Sequence, residues 1–153
     1  MQAGWEQGIS NVMAGLSGLN MVYESVGMHA SLLGFSLESL VLGDDILGQV
    51  QRCIRGIEVN EDNISLEAMK SVCLEGPGHY LGHEQTLALM QTEYIYPAVA
   101  DRSSPKEWEE REKPDLIKEA IKRKNNILDK RSGIPLINPL IDRKIRERFK
   151  IVI

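Results

Sequence analysis

Two of the chain's three histidines, His79 and His83, stand four residues apart, and Glu84 follows directly. On an unbroken helix this spacing puts two imidazoles on one face, as a metal pair requires. Gly78 and Gly82 interrupt that helix, and the order is not H-E-x-x-H, so no metal site is expected. The surrounding run GPGHYLGHEQT, Gly76 to Thr86, reads instead as a shaped turn feeding a helix N-terminus. Gly and Pro punctuate the chain there, and Gln85 and Thr86 open an amphipathic pattern. Arg52 and Arg55 could clamp an anionic group, but a structural pair with Glu58 or Asp62 is the simpler reading. Asp44 and Asp45 sit mid-helix, where surface or helix-contact charge is the simplest reading. There is no GxGxxG, P-loop or GxSxG motif, so dinucleotide, nucleotide and serine-hydrolase chemistry find no support.

The elements that must hold these residues follow from periodicity. Trp5, Ile9, Val12, Met13 and Leu16 recur at helical spacing, so residues ~3–17 form an amphipathic helix that Gly18 stops. The apolar run LNMVYE, Leu19 to Glu24, reads as a buried strand. After a loop containing Gly27 and Gly34, Ser36 caps a long helix ending at Gly56. Asn60 to Asn63 is a polar turn, and Ser65 caps a short helix. A further helix runs from about Glu84 to Tyr94 and Pro97 closes it. Ser104-Pro105-Lys106-Glu107 is a capping box with proline at the first helical position. Pro114 opens another helix, and a last basic one lies around Ile141 to Phe149. One strand among about seven helices is a deficit, because a lone buried strand cannot satisfy its backbone groups. Either the fold is all-helical, or the partners of the strand lie outside this chain. Helix, strand, glycine-rich loop, helix is the rhythm of an α/β barrel.

Composition fits a globular domain: 153 residues, 42% hydrophobic and 26% charged. No stretch approaches a membrane span, and the N-terminus shows no signal core. Cys53 and Cys73 form no CxxC pair and read as reduced, buried thiols of a cytoplasmic chain. Residues 1–100 carry 3 Lys/Arg against 12 Asp/Glu, and residues 101–153 carry 15 against 10. The charges of the basic half alternate along helical faces and stacking aromatics are few, so nucleic-acid binding is not expected.

Five collinear stretches carry a resemblance: QAGWEQGISNVMAGLSGLN, GFSLESLVLGDD, RCIRGIEV, GPGHYLGHEQTL and YIYPAVADR. Together they resemble the C-terminal part of the trimethylamine methyltransferase family, most closely its branch without pyrrolysine that acts on quaternary amines such as glycine betaine. The resemblance implies an α/β fold, here a C-terminal fragment of a TIM (β/α)8 barrel. This fragment would be mostly helical, with one or two strands and a helical C-terminal extension. Residues 1–58 would be the last helix–strand–helix unit of the barrel, and residues 59–153 the extension. It further implies methyl transfer from a methylated amine to the Co(I) of a cobalamin carried by a separate corrinoid protein, with no cofactor held directly. A homo-oligomer is expected, with no nucleic-acid or membrane partner.

On that resemblance, no acid–base residue is required, because the amine leaves neutral. The site needs a box that grips a cation and aligns its methyl group, with a donor for a betaine carboxylate. In a barrel such groups follow the strands. Glu24, Ser25 and His29 therefore become the substrate-binding candidates: His29 as a donor to the carboxylate, Glu24 as an attractor of the ammonium. The plain alternatives are a satisfied loop histidine and a carboxylate bonded to backbone N–H groups. Glu38 is better explained by the helix dipole. Gly78, His79 and His83 become candidates for a corrinoid-facing turn. Two rival readings stay open, a non-catalytic fragment and a helical protein-binding module.

Overall fold

The computed structural model describes residues 1–151. Helix α1 spans Gln2–Leu16, and a two-stranded antiparallel hairpin pairs β1, Met28–His29, with β2, Gly34–Phe35. Helix α2, Leu37–Arg55, is the longest element. It is followed by α3 (Glu61–Ile64), α4 (Leu66–Cys73), α5 (Glu84–Leu89), α6 (Pro105–Glu110), α7 (Leu116–Arg131) and α8 (Pro139–Arg148). The described residues are thus mostly helical with two short strands. Among the described residues no helix is long and apolar enough to cross a membrane.

Local chemistry explains most boundaries. Ser36 Oγ accepts the Ser39 N–H and starts α2, and Gly56, at φ +70°, follows its last turn. The capping box at Ser104 and Glu107 is formed, with Pro105 at the first helical position. Gly18, at φ +78°, closes α1. Asn60 caps a single helical turn, Glu61–Ile64, where a polar turn over 60–63 was expected. Ser65 sits at the start of α4, but in the left-handed region and with no side-chain cap bond. Its hydroxyl instead accepts from Gln85 Nε2 at 2.6 Å.

The expected strand at Leu19 to Glu24 is not formed. Those residues are irregular and exposed, with Met21 at 85% and Tyr23 at 79%. An extended apolar run holds strand geometry only against a neighbour, and the described residues offer none. Pairing appears a few residues later, where a tight turn lets the chain pair with itself. The buried Asn11 holds the residue that follows the run: its Nδ2 donates to Gln7 O at 2.8 Å and to Ser25 O at 3.1 Å. Both cysteines are free thiols, but they are exposed where burial was expected.

Helix α2 is the hub. Both α1 and α7 pack against it. The chain after α5 also returns to α2, along a polar edge. A close approach by residues 25–27 requires Gly43, where a Cβ would run into the Val26 side chain. Among the described residues, the buried apolar ones are Val50, Val72, Val99 and Ala120. That core is small for this chain. A compact monomer of 17.2 kDa exposes about 7,800 Å², whereas this chain exposes 12746 Å². Much of the excess is apolar. Trp5, Ile9, Met13 and Leu16, one stripe of α1, are 60–65% exposed.

Candidate functional site

The hairpin delivers His29 to a hollow of about 350 Å³ between α1, α2 and the start of α7. Its lining is largely apolar, with Ala3, Leu42, Ile46, Leu116 and Ile117 beside the polar Gln7, Ser39 and Gln49. His29 Nε2 lies 2.6 Å from Ser39 Oγ, one turn beyond the Ser36 cap. The hairpin tip is costly. Ala30, Ser31 and Leu32 all hold positive φ, at 51°, 55° and 69°, a conformation that costs a non-glycine residue about 1–2 kcal/mol. Strain of this kind persists where the surroundings over-determine it, and here it lies directly after His29. A half-buried imidazole paired with a hydroxyl on an apolar wall can bond a carboxylate while the wall takes an alkyl body.

Glu24 and Ser25 are not on that wall. Glu24 is exposed at φ +58°. The Ser25 hydroxyl closes a local turn by donating to Val22 O at 3.0 Å. Of the three substrate candidates, the structure places only His29 in the hollow.

Two carboxylates near the hollow are already engaged. Glu38 accepts Lys124 Nζ at 2.7 Å on one oxygen and Ser36 Oγ at 2.9 Å on the other, tying α2 to α7. The Lys124 bond foremost, then its own backbone N–H and the Ser36 hydroxyl, pull its carboxyl from 4.5 to about 2. The sign follows from linkage: a lowered folded-state value adds stability above pH 4.5, and this is lost as pH falls through about 2. A Glu38→Gln variant should therefore show a shallower decline of thermal midpoint between those pH values. Equal slopes in the two proteins would remove the assigned role of the pair.

Asp45, also on the lining, accepts three consecutive backbone donors: Ala98 N at 2.8 Å, Val99 N at 2.7 Å and Ala100 N at 3.0 Å. Surface or helix-contact charge was the expectation from sequence. The missed signal lay in two places. Asp45, Gln49 and Arg52 recur at helical spacing on one edge of α2. The run YPAVADR forms no helix or strand, so its N–H groups need partners from elsewhere. Arg52 and Arg55 pair with Glu93, at 2.7 and 3.0 Å, and not with Glu58 or Asp62. The chain between α5 and α6 brings Glu93 back beside the end of α2.

The Gly-His run is a built turn. Gly76 meets the Ser71 carbonyl where a Cβ would stand, and Gly78 and Gly82 take φ +74° and +83°. Gly78 N–H donates to Val72 O at 2.9 Å. His83 caps α5: its Nδ1 accepts the Gln85 N–H at 3.2 Å, so its proton sits on Nε2, 3.5 Å from Ser71 Oγ. His79 is exposed, as is Leu81, and neither lines the His29 hollow. Among the described residues no three His, Cys, Asp or Glu side chains converge as a metal set.

Comparison with known proteins agrees over almost the whole chain. A family model described as trimethylamine methyltransferase (MTTB) matches residues 1–150. The chain is 29% identical over 146 residues to the glycine betaine methyltransferase of Desulfitobacterium hafniense (strain Y51), covering 95% of this chain and 29% of that protein. It is 29% identical over 140 residues to the trimethylamine methyltransferase MttB of Methanosarcina barkeri (strain Fusaro / DSM 804), covering 88% of this chain and 26% of that one. The chain thus spans 26–29% of the length of these relatives. With the five collinear motifs, this match makes the chain a member of the trimethylamine methyltransferase family.

Proposed function

We propose that this chain is the C-terminal portion of a barrel-fold amine:corrinoid methyltransferase and supplies part of its substrate pocket. The observation that carries the reading is His29. It is paired with Ser39 at 2.6 Å on the rim of a largely apolar hollow, in a chain related to a glycine betaine methyltransferase. A quaternary methylammonium carboxylate suits such a hollow, with the methyl groups against Leu42, Ile46 and Ile117 and the carboxylate on the imidazole. The C–N bond breaks with its electron pair remaining on nitrogen, so a neutral tertiary amine leaves and no general acid is needed. Cobalamin on a partner protein supplies the nucleophilic Co(I) that accepts the methyl group. This chain's residues bind and orient the cation.

The Gly76–His83 turn is the proposed corrinoid-facing surface. Its exposed His79 and Leu81 and its open glycine backbone suit contact with a large flat ring and its carrier. Glu24, exposed and outside the hollow, would act only as a remote attractor of the cation. A cytoplasmic location and a homo-oligomeric assembly accompany this reading. The large exposed surface favours a second statement about the chain by itself: alone, it turns over nothing.

The test is methyl transfer. The chain, joined to the remainder of its fold, is incubated with Co(I) cobalamin and a panel of quaternary and tertiary methylamines. Methylcobalamin formation with at least one amine is the expected result. No methylation by any of them would end the enzymatic reading.

A further inference from the structure

We infer that Asp45 is a positioning residue for the His29 hollow, acting through the backbone of residues 98–100. The inference rests on the reading of that hollow as the substrate site. The far wall of the hollow includes Ala100 and Leu116, and neither belongs to α2. Ala100 lies in an irregular segment, where nothing in the local backbone fixes its place. Asp45 does so from the middle of α2, accepting three N–H groups in a row at 2.7–3.0 Å. Three successive amides converging on one carboxylate form an anion-binding concavity, and here the anion is the protein's own side chain.

The neighbours on the same helical edge extend the clasp. One turn on, Gln49 Oε1 accepts from Arg102 Nη2 at 3.3 Å. A turn further, Arg52 donates to Glu93 O at 2.9 Å. The edge 45, 49, 52 therefore holds the returning chain at 98–100, at 102 and at 93. Asp45 lines the hollow, yet its two oxygens already take three N–H donors. It serves as the fastening of the wall, and the alkyl and imidazole groups are left to meet the substrate.

The chain joined to the remainder of its fold, wild type and Asp45→Asn, is examined by amide hydrogen exchange and by titration with glycine betaine. An amide in place of the carboxylate keeps the shape but presents N–H to N–H. Exchange at Val99 and Ala100 should rise about tenfold or more, the loss of one charge-assisted bond, while Leu42 and Ile46 within α2 keep their protection. The betaine dissociation constant should rise by a similar factor, and Asp45→Glu should restore part of it. Unchanged exchange at Val99 and Ala100 overturns the clasp. Faster exchange with unchanged betaine affinity overturns the positioning role and leaves a purely structural one. If the wild type binds no betaine, the substrate reading falls, and exchange alone decides whether Asp45 holds the wall. If Asp45→Asn does not fold, the wild type decides. Val99 and Ala100 must then exchange as slowly as α2 amides, and exchange as fast as in the exposed turn 78–82 rejects the inference.

Discussion

In isolation this chain should bind a hydrophobic dye strongly and self-associate as its concentration rises. Trp5→Glu combined with Ile9→Lys should reduce both severalfold. The reason is area: 12746 Å² is exposed where a compact chain of this mass shows about 7,800 Å². The α1 stripe of Trp5, Ile9, Met13 and Leu16 faces away from α2 at 60–65% exposure. Covering each of these side chains would be worth roughly 1–2 kcal/mol. Contiguous apolar surface of this extent marks an interaction face. The paired substitution adds a Glu–Lys pair at i, i+4, which supports the helix while removing the patch. Sedimentation and dye fluorescence read the outcome. A monodisperse, dye-silent wild-type monomer would show that the stripe is covered in solution by a rearrangement absent from this structure.

Ala120→Asp should abolish cooperative unfolding of the chain. Ala120 is the most buried residue in the core, at 0% exposure on α7, the helix packed on α2. An uncompensated buried charge costs about 3–5 kcal/mol, a large share of the roughly 5–15 kcal/mol that even a well-packed domain holds. With so few buried apolar residues, this chain has little margin. Lys122→Asp, two residues on and exposed, should stay within about 0.5 kcal/mol of wild type. Calorimetry of the two variants settles the comparison. A sharp transition in Ala120→Asp near the wild-type midpoint would contradict the assigned core.

What the sequence revealed and what it hid divide along one physical line. Features decided within a few residues were legible: the Ser36 and Ser104 caps, the Gly18 and Gly56 stops, and the turn character of GPGHYLGHEQT. Features decided by distant partners were not. LNMVYE has the composition of a strand but finds no neighbour among the described residues, so it stays irregular. Asp45 looked like surface or helix-contact charge because its three donors, in an irregular segment, lie more than fifty residues away. Arg52 chose Glu93 over nearer acids for the same reason. At the candidate site, His29 was singled out as following a strand that is not formed, and it reaches the hollow on the hairpin instead. The removal of Glu24 and Ser25 from the hollow depends on the hairpin beginning only at Met28, which periodicity does not reveal.

The central claim is that the His29 imidazole grips a substrate carboxylate. The most direct measurement compares wild type and His29→Ala, each joined to the remainder of its fold, in methyl transfer from glycine betaine and from tetramethylammonium. Tetramethylammonium carries the same cation and no carboxylate. A hydrogen bond to a charged group is worth about 1.5–3 kcal/mol, so KM for betaine should rise about tenfold or more. KM for tetramethylammonium should stay level, and kcat should change little for either. Equal effects of His29→Ala on both substrates, or none on betaine, would contradict the account.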